Sequence, residues 1–182
     1  MIVGEEREIE SRTVSFFCVE LSGGRSLWKE KEYGEQWWTG IETVYRDTLL
    51  LHGYASPDMP EHRGITAVDI ATGELLWRND EVTCAAAVRG HIRALRGHPG
   101  TRTAVELDRR TGAVLRELIE NDAGSAGVND ETVAGVLSPA ILREGADPSA
   151  LPRLLGEAGI PGSLIGPVEY AELDDRVVCA YH

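Results

Sequence analysis

The densest chemistry in this chain lies in one segment, His52-Gly-Tyr-Ala-Ser-Pro-Asp-Met-Pro-Glu-His62. His52, Tyr54, Asp58, Glu61 and His62 are residue types that hold polar ligands. Imidazole with carboxylate is also an ordinary ligand set for zinc or manganese. Their spacing matches no metal signature, so no metal is assigned. The segment reads as a long inter-strand loop, and connections longer than a turn requires are where binding functions concentrate. Trp37 and Trp38, just upstream, offer an aromatic platform for a sugar or peptide. A blander reading stands beside this one. The loop's polar groups then satisfy its own backbone, His62 bonds the chain where it rejoins the sheet at Gly64, and the two tryptophans pack on opposite faces. If the strands flanking the loop pair antiparallel, the two imidazoles come close together, with Pro57 and Pro60 stiffening the excursion.

Other chemistries find no residues to carry them. Ser125 and Ser138 lack a Gly-x-Ser-x-Gly context, and Gly-x-x-x-x-Gly-Lys does not occur. Asp122 and Asp130, in the Gly-rich segment 121–131, are too far apart for a calcium loop. No catalytic residue and no cofactor is therefore assigned. Cys18, Cys84 and Cys179 are widely spaced in apolar stretches and read as reduced, buried thiols. The net charge of -12 disfavours a nucleic-acid partner or an anionic membrane surface. Arginines cluster only over residues 89–110, read as a solvated edge offsetting local acid, or as a site for an anionic ligand or for the acidic face of a partner copy. No apolar run approaches the ~18 residues of a membrane span, and the acidic N-terminus does not read as a secretory signal, so a cytoplasmic chain is expected. Lysine occurs only at Lys29 and Lys31. The arginine excess fits a GC-rich genome, and together with the acidic surface it also fits a salt-adapted cytoplasm.

The elements that position these residues are internal repeats. Phe16–Trp28, Ile65–Trp77 and Ala104–Arg116 align, with Gly24, Gly73 and Gly112 in register and Glu20, Asp69 and Asp108 in register. Trp28 and Trp77 align with Arg116. Each copy reads as an apolar strand, a short turn closed by glycine at positive φ, and a second apolar strand. Between copies, Ile41–Tyr45 and Thr48–His52 flank Arg46-Asp47, and Val82–Val88 and His91–Leu95 flank Arg89-Gly90. Val168–Leu173 and Val177–Tyr181 form a further pair. One short helix is expected near Pro152–Ala158. The predicted fold is all-β: residues 1–182 as a single domain of antiparallel β-hairpin repeats, a partial or small β-propeller-like array with one short helix.

The run Asp69-x-x-Thr72-Gly73-x-Leu75-Leu76-Trp77 resembles the blade motif of quinoprotein-like repeats, the kind found in pyrroloquinoline quinone-type propellers. A weaker resemblance, over residues 12–80, is to an uncharacterised bacterial family of propeller-like proteins. It rests on Trp37-Trp38, Leu50-Leu51-His52-Gly53-Tyr54 and Pro60-x-His62-x-Gly64-Ile65. The resemblance implies four-stranded blades. The chain holds about three and a half, so it forms an open array, pairs with a second copy, or belongs to a longer propeller. Two functions follow. One is a non-enzymatic scaffold presenting a surface to a protein partner or to its own copy as a homodimer. The other is a small-ligand binder, or a cryptic hydrolase, using the His52–His62 loop with Trp37 or Trp38.

Overall fold

The computed structural model describes residues 1–20, 22–34, 37–56, 59–98 and 100–118, with residues 55, 56, 59 and 60 described by backbone alone. It also describes the backbone of residues 140–141, 169–173 and 176–180. The chain divides into two compact units, Met1–Ala134 and Gly135–His182. All regular structure among the described residues is β. The first unit runs β1 (Ile2–Glu8), β2 (Thr13–Val19), β3 (Ser26–Lys31), β4 (Thr39–Tyr45), β5 (Thr48–Ser56) and β6 (Met59–Asp69). It continues with β7 (Leu75–Asn79), β8 (Val82–Val88), β9 (His91–Arg96), β10 (Thr103–Asp108) and β11 (Val114–Leu118). The second unit contains β12 (Ala140–Ile141), β13 (Glu169–Leu173) and β14 (Arg176–Ala180), an antiparallel sheet in the order β12-β13-β14. The expected helix near Pro152 lies outside the described residues. No helix of the described residues is long and apolar enough to cross a membrane.

The first unit is an array of antiparallel meanders: β1-β2-β3, then β4-β5-β6-β7, then β8-β9-β10-β11. The second and third join through one parallel bridge, Gly64 opposite Thr83. The three aligned repeats are the hairpins β2/β3, β6/β7 and β10/β11. Their turn glycines lie at φ 64°, 67° and 71° for Gly24, Gly73 and Gly112. In each turn the glycine N–H donates to the carbonyl four residues back, at Glu20, Asp69 or Asp108. Asp69 Oδ1 also accepts from Ala71 N, Thr72 N and Thr72 Oγ1, and Asp108 Oδ1 repeats the pattern with Arg110 and Thr111. This is why the acid, the threonine and the glycine recur together: each satisfies a backbone group the turn would otherwise leave open.

Two cores lie on either side of the middle meander. Strand alternation sends Leu49, Leu51 and Val68 into one core with Val14, Phe16, Cys18 and Trp28, joined by Ile70 from the turn after β6. It sends Leu50, Ile65 and Ala67 into the other with Trp77, Val82, Ile92, Ala94, Val105 and Leu107. The repeat tryptophans stitch one meander to the next. Trp28 Nε1 donates to Ile70 O at 2.9 Å and its ring lies over Gly73, where a Cβ would sit 2.7 Å from the ring. Trp77 Nε1 donates to Arg109 O at 2.8 Å, and its ring lies over Gly112 in the same way. In the third copy Arg116 replaces the indole and binds Glu106 at 2.6 Å.

Candidate functional site

The segment read as a loop is mostly strand. β5 continues to Ser56, β6 begins at Met59, and Tyr54 pairs with His62 and Gly53 with Arg63. Two register shifts interrupt this pairing. One lies between Leu51 and Gly53, where Gly64 adopts φ 77°, and one between Tyr54 and Ser56. β-Bulges of this kind admit residues that a regular ladder would reject, and they re-aim side chains. A third shift falls in β4, where Ile41 pairs with Leu51 and Thr43 with Leu50, leaving Glu42 as the extra residue.

These irregularities accompany a cluster of four side chains, Glu42, His52, His62 and Tyr54. The His52 and His62 rings stack face to face, 3.5 Å between centroids and 6° from parallel. Glu42 Oε2 lies 2.8 Å from His62 Nδ1 and 3.1 Å from His52 Nδ1. Tyr54 stands edge-on to both rings, at 5.0 Å and 5.6 Å, and Trp38 lies edge-on to Tyr54 at 6.3 Å. Burial opposes ionisation of Glu42, but the two imidazoles more than offset it and hold the carboxyl below its ordinary range. His62 Nδ1–H donates to Glu42. His52 is only 6% exposed, and neither of its ring nitrogens has a hydrogen-bond partner; Nδ1 is near Oε2 but off the direction a hydrogen bond needs. A buried polar group left in that state costs about 1–3 kcal/mol, and its presence calls for a reason.

Two open clefts flank β6 here. One, about 450 Å³, is bordered by Glu61, His62, Arg63, Asp80, Arg96 and Arg102 among others. The other, about 310 Å³, is bordered by Tyr33, Trp38, Tyr54, Arg63, Arg78 and Asp80 with the hydroxyls of Thr39 and Thr66 nearby. Arg63 and Asp80 border both. Tyr33 is fixed by donating to Gly73 O at 2.6 Å, and burial pushes its phenol up to about 12.

The family described as Domain of unknown function (DUF4905) matches residues 1–77. That stretch carries Trp37, Trp38, Glu42, His52, Tyr54 and His62. Neither a curated protein nor a solved structure matches the chain.

Of the residues singled out in the sequence, the structure gathers His52, His62, Tyr54 and Trp38. Trp37 turns elsewhere, its ring 5.5 Å from the Arg7 guanidinium. Glu61 pairs with Arg102 instead of joining the imidazoles. Asp58 lies outside the described residues. The arginines of 89–110 largely neutralise local acid: Arg96 pairs with Glu117, Arg109 with Asp47, and Arg110 with Asp69 and Asp47. Two participants were not read from the sequence. Glu42 sits in β4 with no motif around it, at the position where the register shifts. Arg7 donates to Trp37 O and Thr39 O, both at 2.7 Å, and so fixes the start of β4. Nothing in the sequence near Arg7 signals that long-range contact. Cys18 and Cys84 are free thiols; burial first, then the Glu42 charge, pushes the Cys84 thiol up to about 12.

Proposed function

We propose that this chain is a non-enzymatic, propeller-like binding protein whose cleft beside Trp38 and Tyr54 takes a small polar ligand of the sugar class. The observation that supports this best is the pair of rings Trp38 and Tyr54 on an open cleft that also presents Arg63, Arg78 and Asp80, with the stacked imidazoles of His62 and His52 against Tyr54. Aromatic faces stack on the C–H face of a sugar, while planar guanidinium and carboxylate groups exchange hydrogen bonds with adjacent hydroxyls. The free thiols Cys18 and Cys84 suit a reducing, cytoplasmic setting. Calorimetric titration with glucose, galactose, N-acetylglucosamine and glucuronate tests the reading. Binding by at least one is expected, and W38A weakens it roughly tenfold, the equivalent of about 1.4 kcal/mol of ring contact. Silence across the panel contradicts it.

A second reading, association with a protein partner or a second copy, has its own support. Among the described residues β11 pairs with β10 alone, and it exposes Val114 and Leu115 at 47% and 49%. Strand addition at that edge would form a homodimer. Light scattering on the purified chain, compared with L115K, checks for it: a dimer lost in the variant supports the edge, and a monomer in both removes it.

A further inference from the structure

Glu42 Oε2, His52 Nδ1 and His62 Nδ1 lie within 4.8 Å of one another. An ion of the zinc class bonds such atoms at about 2.0–2.2 Å, which sets neighbouring donors about 3.4 Å apart in a tetrahedral shell. The 2.8 Å and 3.1 Å separations here come close to that spacing, and binding one ion requires the two stacked rings to splay so that both Nδ1 atoms face it. A shared hydrogen bond accounts for His62 but leaves His52 unexplained, because both nitrogens of that buried ring lack an aligned partner. His62 and Glu42 keep side-chain exposures of 38% and 21%, so the cluster opens to solvent on their side, and His62 has room to turn its Nδ1 toward an ion. Gly40 is what lets His52 lie this deep, since a Cβ there would sit 3.1 Å from His52 Nε2.

We propose that Glu42, His52 and His62 bind one divalent transition-metal ion of the zinc class. Two nitrogens and one carboxylate oxygen favour zinc, cobalt or nickel over calcium and magnesium, which prefer shells built of oxygen. Three protein ligands leave a position for water or for a ligand atom, and His62 borders the larger cleft. The metal site extends the ligand-binding reading above, but it stands on the triad's geometry alone.

The test uses the full chain without an affinity tag, stripped with EDTA. It is titrated with Zn²⁺ by calorimetry and with Co²⁺ by visible absorption. One ion per chain is expected, with cobalt bands of four-coordinate character. E42Q and H62Q bind roughly tenfold or more weakly, a loss at least as large as removing a group that merely orients a ligand, while their far-ultraviolet circular dichroism is unchanged. No binding, or binding that neither variant weakens, overturns the proposal. The sugar panel is repeated on the stripped and loaded samples. Sugar bound without any ion retained overturns the metal site and leaves the cleft; an ion retained with no sugar bound does the reverse.

Discussion

At the scale of single residues, this site depends on positions that carry no chemistry of their own. Gly40 is one. A methyl group there meets His52 Nε2 and Cε1 at 3.1 Å and 3.2 Å, in contact too tight to accept without movement. Gly40→Ala is expected to displace the His52 ring and weaken zinc and sugar binding while the hairpins persist. Unchanged binding in that variant would show that His52 has slack the structure does not suggest. Arg7 is the other. It bonds two carbonyls of the segment entering β4, so Arg7→Ala removes both of these bonds, at about 1.5–3 kcal/mol for each hydrogen bond to a charged group, less what water recovers. A clear fall in melting temperature checks this. Neither residue was legible in the sequence, and Glu42 was not either, for one physical reason: each acts across strands. The bulge at Glu42 is a matter of register between β4 and β5, which local pattern does not encode. His52 and His62 were legible because the segment between them interrupts two apolar runs that pair directly as β5 and β6.

At the scale of elements, the repeat hairpins could be read because their turn chemistry is local. An acid, a threonine and a glycine within five residues specify the turn whatever surrounds it. The stitching between meanders could not be read that way. Gly24 and Gly73 have nearly the same φ, but a Cβ at Gly24 meets nothing within 4 Å while one at Gly73 strikes the Trp28 ring. Gly24→Ala should cost only the left-handed backbone penalty, roughly 1–2 kcal/mol. Gly73→Ala should add an overpacking cost of about 1–3 kcal/mol. Urea titration of the two variants measures the difference, and equal costs would mean that the indole yields freely. The turns also set an acid response. Arg110 chiefly, with backbone N–H groups, holds the Asp69 carboxyl below its ordinary range. The Thr111 hydroxyl and backbone N–H groups do the same for Asp108. Both carboxyls titrate lower folded than unfolded. Their contribution is therefore complete above the unfolded value of about 3.9 and is lost as the pH falls through the folded values. Asp108→Asn, which keeps an acceptor but not the charge, should flatten the stability loss below about pH 4. An unaltered acid limb would place the titrating groups elsewhere.

For the whole molecule, 30 acidic residues against 18 basic ones make self-repulsion a general load on the fold. Salt screens that repulsion and also weakens bridges such as Arg110–Asp69. Because the excess is acidic, relief should dominate, and the melting temperature should rise from low to molar NaCl; a fall would mean that the bridges outweigh the repulsion. The stacked meanders have a direct consequence for the site. They hold Trp28 and Trp77 inside two separate cores while leaving Trp38 on a cleft. The four tryptophans thus give four indole ¹H–¹⁵N signals that report on different places in one spectrum. Adding each sugar of the panel to the ¹⁵N-labelled chain tests sugar binding at this cleft. The Trp38 signal is expected to move in step with ligand concentration while those of Trp28 and Trp77 stay fixed. A Trp38 signal that never moves, or four that move together, contradicts sugar binding beside Trp38.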